Sequence, residues 1–358
     1  MATRIGYAIY PTWRSYAHGR DRTQSSLERR VNVLRNRKRL HVVLVGGVYL
    51  DVYLKPVYVD MTPNEYADLG AVRTSPGGSA YFVGRHLGER GRRSYLFSRM
   101  GKGDLFSRQL KRHLEDADWI RGENVSTARS GQCAVSVHLL EPSGIPLPTY
   151  THRGALQELT WSRCLQDVQR YLRGGGGVLY VSGFFRTSLD NDLRSSINAL
   201  PPDTLAVIDH GRFKGEYYQA ALRTLLEAFA TDVFDIYVCT MTEIMELASG
   251  AGVRLTPGLA DGQAVVREIL DGIRLPRVTI VRGDAKPRRQ ARAIVAFDGS
   301  IFTIKEGPLE WTPTGEPGGK SAFTAGLIEY LFVGNDRNVD EAIREAVRAG
   351  LRAWVRKG

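Results

Sequence analysis

Five apolar runs, each bounded by glycine or a polar residue, constrain this chain more than any other feature. They are HVVLVGGVYLDV (41–52), VLYVSGFF (178–185), LAVIDH (205–210), DIYVCT (235–240) and RVTIVRG (277–283). Runs that are apolar at nearly every position, rather than at every second one, are expected of strands buried on both faces. Segments with helical spacing separate them. Strands alternating with helices imply right-handed crossovers and a mostly parallel sheet with helices on both faces. The first run is read as one strand whose carboxyl end carries Asp51.

The remaining pieces fit around that sheet. SPGGSAYFVGRHLGERG (75–91) is a glycine turn leading into a helix that stops at glycine, and RSYLFSRMG (93–101) reads as a strand. DLFSRQLKRHLEDADW (104–119) has the apolar spacing of an amphipathic helix, with Leu105, Leu110, Leu114 and Trp119 on its apolar side. GQCAVSVHLLEPSGIPLPTYTHRG (131–154) alternates, turns at Pro-Ser-Gly and returns, which is a hairpin signal, as is AIVAFDGSIFTI (293–304). Residues 339–355 are helical in pattern, and no internal repeat is present.

Composition narrows the class. The chain has 358 residues and is 43% hydrophobic, enough for a sizeable core, yet no run reaches the roughly 18–20 apolar residues of a membrane span. There is no apolar leader of secretory type at the N-terminus, so an intracellular protein is expected, in the cytoplasm or in an organelle such as the mitochondrion. Cys133, Cys164 and Cys239 are odd in number and far apart, which argues for buried thiols rather than disulfides or a zinc site. The seven histidines form no metal-spaced cluster.

The net charge of +11 is unevenly spread. Residues 1–40 hold nine arginines and Lys38 against Asp21 and Glu28, a surplus of +8, leaving +3 for the rest. This basic extension has three readings: a helix docked on its own domain through Leu27, Val31 and Leu34, an arm for nucleic acid or a large-complex partner, or a targeting segment.

The order of the pieces in residues 41–358 resembles the ribokinase/PfkB family of carbohydrate and nucleoside kinases. Asp51 matches the carboxylate that holds substrate hydroxyls in that family, and Gly77-Gly78 the Gly-Gly turn of its first signature. Asp104 and Phe106 match a later D-x-F pair. IDHGRF (208–213) resembles a D-x-N-x-R turn, bringing in Asp209 and Arg212, which can contact ligand or serve as cap and ion-pair partner. CTMTEIMEL (239–247) resembles the N-x-x-E segment, whose glutamate, here Glu243, helps organise magnesium and phosphate. Arg282-Gly283 lies on the nucleotide side, and GGKSAFTAGL (318–327) resembles the G-A-G-D signature at the helix that receives the γ-phosphate. The resemblance implies a ribokinase-like three-layer α/β/α sandwich with a mostly parallel sheet and a small β-lid, its segments near 52–75 and 131–153. It also implies ATP and magnesium as cofactors, and a homodimer formed through the lid.

The departures bear on activity. In the family, the aspartate closing the G-A-G-D turn accepts the substrate proton, while backbone N–H groups at the helix start cradle the phosphate. Here that aspartate falls at Ser321 and the glycine before it at Lys320. The asparagine of the first signature falls at Phe82, the alanine at Gly84, the asparagine of N-x-x-E at Thr240, and a nucleotide-side threonine at Val281. The stretch TPTGEPGGKS (312–321) therefore has three readings. Gly318, Gly319 and Lys320 bind an anion without a base. Alternatively, Glu316 replaces the lost aspartate. Or the loop is only a glycine-rich approach to a helix capped by Ser321. A Walker A loop is excluded, because three rather than four residues separate the first glycine from G-K-S. KPRRQAR (286–292) adds a basic loop that either steers phosphate or is a solvated turn. The leading expectation is a pseudokinase that binds a ligand or serves a larger, nucleic-acid-containing (ribonucleoprotein) assembly. The alternative is a working ATP-dependent kinase for a sugar-like or nucleoside hydroxyl with a relocated base.

Overall fold

The computed structural model describes residues 24–37, 39–56, 69–121, 124–129, 131–140, 146–173, 177–211, 218–283, 290–308, 319–334 and 338–357. In chain order the elements are α1 (Gln24–Arg35), β1 (Val42–Gly46), β2 (Tyr49–Pro56), β3 (Leu69–Gly77), α2 (Ser79–Gly88), β4 (Ser94–Met100), α3 (Leu105–Glu115), β5 (Ile120–Arg121) and β6 (Val125–Thr127). Then follow β7 (Val135–Leu140), β8 (Pro146–His152), α4 (Trp161–Leu172), β9 (Val178–Ser182), α5 (Leu193–Asn198), β10 (Leu205–Asp209), α6 (Gln219–Ala230) and β11 (Ile236–Thr240). The chain continues with α7 (Met241–Gly250), α8 (Gly262–Gly272), β12 (Val278–Arg282), β13 (Gln290–Phe297), β14 (Ser300–Pro308), α9 (Gly319–Val333) and α10 (Val339–Lys357).

The main sheet runs β14-β13-β12-β11-β10-β9-β1-β4-β5, with β6 also pairing to β4. It is parallel from β12 to β5, and the β13–β14 hairpin adds two antiparallel strands at one edge. The turn of that hairpin is Asp298-Gly299, both at positive φ, which matches the right-handed twist of the flanking strands.

Alternation within each central strand divides the core in two. Val42 and Leu44 of β1 face a layer formed by α1, α2, α9 and α10, while Val43 and Val45 face α4 to α8. Every residue of β1, β9, β10, β11 and β12 is buried, which is why these strands read as unbroken apolar runs. This is the expected three-layer α/β/α sandwich.

A separate four-stranded sheet, β3-β2-β7-β8, forms the lid. Its inner pair, β2 and β7, is parallel; the outer pairs are antiparallel. The first apolar run is therefore two strands. It breaks at Gly46–Val48, and Asp51 stands on the lid strand β2 rather than at the end of β1. The run looked continuous because Val48 and Leu50 are as fully buried as Val45. Trp119 likewise lies beyond the end of α3, and Leu105 at that helix's start is exposed.

Part of the basic extension belongs to the body. Leu27, Val31 and Leu34 of α1 are buried in the same layer as α9 and α10. Arg29 pairs with Asp203 at 3.1 Å. Arg30 donates to the Pro202 carbonyl at 2.9 Å and forms an ion pair with the Asp235 carboxylate. Among the described residues, no helix is long and apolar enough to cross a membrane.

Candidate active site

In a doubly wound sheet, ligands are received outside the carboxyl ends of the strands, where strand order reverses. Here β1 lies between β9 and β4, so the reversal falls at the ends of β1 and β9. Three glycines floor that point. A Cβ on Gly183 would come within 3.7 Å of the Gly47 nitrogen, and one on Gly211 within 3.9 Å of the Gly183 Cα. Those distances leave room for a Cβ, but Gly183 and Gly211 have positive φ, so side chains are disfavoured there on backbone grounds. Gly78, at φ 108, starts α2 so close to β1 that a Cβ would lie 2.1 Å from the Gly47 carbonyl oxygen.

Asp51 lies at one side of this floor, 2% exposed, packed against Gly77 so tightly that a Cβ there would overlap its carboxylate. Its Oδ1 is 2.7 Å from His138 Nε2, and its Oδ2 accepts from the Tyr53 hydroxyl at 3.3 Å. The His138 ring stacks on Tyr53 with centroids 4.7 Å apart, and its Nδ1 is 3.1 Å from Thr149 Oγ1. Sequence reading missed both: Tyr53 is two residues along β2 from Asp51, on the same face, whereas His138 reaches Asp51 only because β7 pairs in parallel with β2, a register the sequence does not display. Phe82 is buried in the α1/α2/α9/α10 core layer, with its ring edge-on to Tyr81.

On the other side stand the ends of β10, β11 and β12. Arg282, the last residue of β12, is 1% exposed. Its Nη2 donates to Asp209 Oδ2 at 3.1 Å, and its Nη1 donates to the Lys320 carbonyl oxygen at 2.7 Å in the first turn of α9. The guanidinium also lies 5.8 Å from the Phe323 ring centroid. Its Nε is buried and finds no hydrogen-bond partner among the described residues. Glu243 is the third residue of α7. Its Oε2 accepts the Thr240 N–H at 2.7 Å, and the Thr240 hydroxyl accepts the Glu243 N–H at 3.3 Å. That reciprocal capping box explains the pattern read as a degenerate N-x-x-E.

The charges in this group act on one another. Burial pushes the Glu243 carboxyl up, but the Arg282 and Lys320 charges outweigh it and hold the group below the ordinary glutamate range. Burial dominates at Asp209, which is raised despite Arg282. Burial also lowers His210, which sits between the Tyr237 hydroxyl, 2.6 Å from Nε2, and the Gly211 carbonyl.

Ser321 is buried in the first turn of α9, which carries no acidic residue. Lys320 is exposed, and Gly319 packs against the Trp354 indole, where a Cβ would approach to 3.0 Å. Gly283 follows the end of β12 and packs under Arg292. The structure thus brings Asp209, Glu243, Arg282, Lys320 and Ser321 together, and places Asp51, Gly77 and Gly78 at the lid side. Arg212, Glu316 and Gly318 lie outside the described residues.

Solved structures place this architecture. The ribokinase of Cryptococcus neoformans in complex with ADP superposes with a TM-score of 0.65 at 15% identity, over 89% of this chain and 93% of that one. The fold is ribokinase-like. Adenosine kinase of Trypanosoma brucei brucei gives a TM-score of 0.63 at 17% identity, over 90% and 99% of the two chains. The Arabidopsis thaliana ribokinase complexed with ribose and ATP gives 0.61 at 16%, over 87% and 91%. No family model and no curated relative matches the chain.

A phosphate and a divalent cation make different demands on this donor set. A phosphate fits: the N–H groups opening α9 are unsatisfied within the helix, Lys320 is exposed beside them, and Arg282 Nε is an orphaned donor beneath the turn. A divalent cation fits poorly. One Glu243 oxygen is held by the Thr240 N–H and Asp209 is neutralised by Arg282. The described residues contain no group of three His, Cys, Asp or Glu able to hold a metal.

Proposed function

We propose that this chain is a ribokinase-fold pseudokinase: it binds a phosphate-bearing ligand at the start of α9 and does not transfer the phosphate. One observation carries the reading. At the turn where a proton acceptor is needed stands the hydroxyl of Ser321, and the two carboxylates in electrostatic reach of Lys320 are committed, Asp209 to Arg282 and Glu243 to the capping of α7. A serine hydroxyl with no base beside it among the described residues is a poor proton acceptor near neutral pH. The ATP and ADP named with the Arabidopsis and Cryptococcus ribokinases support a nucleotide as the ligand class. Asp51, with His138 across from it, keeps a polar position for a hydroxyl-bearing ligand on the lid side.

The test is ADP release with Mg-ATP across a panel of pentoses, hexoses and nucleosides. The expected outcome is no acceptor-dependent turnover, and none for Ser321→Asp, because Arg282 remains bonded to Asp209 and to the first turn of α9. Acceptor-dependent turnover by the natural chain would instead establish the working kinase. In that case Glu316→Gln should lower the rate on the order of 10² to 10⁴-fold, identifying the relocated base.

The basic arm supports a role in a larger assembly. Arg29 and Arg30 are tied to the body, so Arg4, Arg14, Arg20 and Arg22 are the arginines through which residues 1–23 would meet an acidic partner such as RNA. Deleting residues 1–23, which leaves α1 in its core, should weaken polyanion binding and reduce its salt dependence. Unchanged RNA affinity across a salt series would remove the arm from that role.

A further inference from the structure

The charge pattern behind α9 points beyond the loss of a base. Four ionisable side chains meet there: Arg282 and Lys320 are cationic, Asp209 and Glu243 acidic. The guanidinium is fixed from two sides, by the Asp209 carboxylate at the end of β10 and by the Lys320 carbonyl in the first turn of α9. Its third donor, Nε, is buried and has no partner among the described residues. A buried N–H of a charged group is costly to leave unpaired, and a persistent one calls for an acceptor. The arrangement sits where nucleotide phosphates would need positive charge, at a helix start that already favours anions. Of the carboxylates there, both Asp209 oxygens and one Glu243 oxygen are occupied by protein donors.

We propose that Arg282 takes the electrostatic place of a divalent cation, so that the phosphates of a nucleotide are held at the start of α9 by Arg282, Lys320 and backbone N–H groups without metal. This rests on the anion-binding reading above. A guanidinium is permanently charged, directional and part of the chain, so the site needs no metal to be recruited with the ligand. Such a charge suits binding better than transfer, since it does not bridge two phosphate oxygens in the way a mobile cation does.

Calorimetric titration of the full chain with ATP decides the matter, performed once in excess EDTA and once in excess magnesium. The expected result is an affinity in EDTA no worse than about fivefold below that in magnesium, a difference of roughly 1 kcal/mol. A larger loss on removing magnesium overturns the proposal while leaving the anion-binding reading intact. No binding under either condition sinks that reading, and the proposal with it. The double variant Arg282→Met/Asp209→Asn removes the pair without stranding a buried charge, so it is the variant best able to fold. In it, affinity in EDTA should fall by about tenfold or more relative to the natural chain; unchanged metal-free affinity would overturn the assignment to Arg282. If it does not fold, the EDTA and magnesium titrations of the natural chain still decide.

Discussion

Asp51 and Asp209 are both buried aspartates at the carboxyl edge of the sheets, and they are held in opposite ways. Asp51 faces His138, whose side chain is 20% exposed on a lid strand and whose charge depends on a proton. Asp209 faces Arg282, which is 1% exposed, always charged and bonded into the start of α9. The lid carboxylate has a partly exposed partner, the more easily exchanged of the two. The carboxylate beneath α9 can be freed only by unmaking the core. The difference teaches that one site holds its two buried carboxylates by different means. The lid side has a partly exposed partner, and the α9 side has a buried, permanent cation.

The largest expected effect tests the permanence of the second pair. Arg282→Met should destabilise the chain by about 3–5 kcal/mol, because Asp209 is left buried without its partner, and adding Asp209→Asn should recover most of that loss. Urea denaturation followed by circular dichroism measures both. A single variant as stable as the natural chain would mean that the ion pair anchors nothing.

A smaller effect sharpens the other half. His138→Ala removes one partner of Asp51, while the Tyr53 hydroxyl still donates to it. A cost of about 1–3 kcal/mol is expected, clearly less than for Arg282→Met, by the same denaturation measurement. If the two losses were equal, the contrast between exchangeable and fixed carboxylates would fail.

Much of the architecture was legible in the residues themselves. Runs such as LAVIDH and RVTIVRG announced strands covered on both faces, because parallel strands between two helical layers have no polar side. The Leu27, Val31, Leu34 stripe suggested a docked helix as one of three readings of the extension, and the sequence around Asp298-Gly299 a hairpin. The site was legible only in part. Glu243 and Ser321 were placed by motif, but the meaning of Arg282 was not, since its partners lie on β10 and α9, far away in sequence. His138 was hidden for the same reason. Strand register and long-range ion pairs are set by packing, and local patterns carry no trace of them.

The docking of α1 has a consequence for how the chain comes to be folded. Residues 24–35 pack on β10 and on a layer that includes residues 319–357, so the earliest described helix cannot complete the burial of its leucines until almost the whole chain has been synthesised. Closing so long a loop is slow, and an unpaired apolar helix exposed meanwhile invites aggregation. The arginines that alternate with those leucines give the waiting helix a charged, soluble exterior, and two of them, Arg29 and Arg30, later become the clasps that hold it against Asp203 and Asp235.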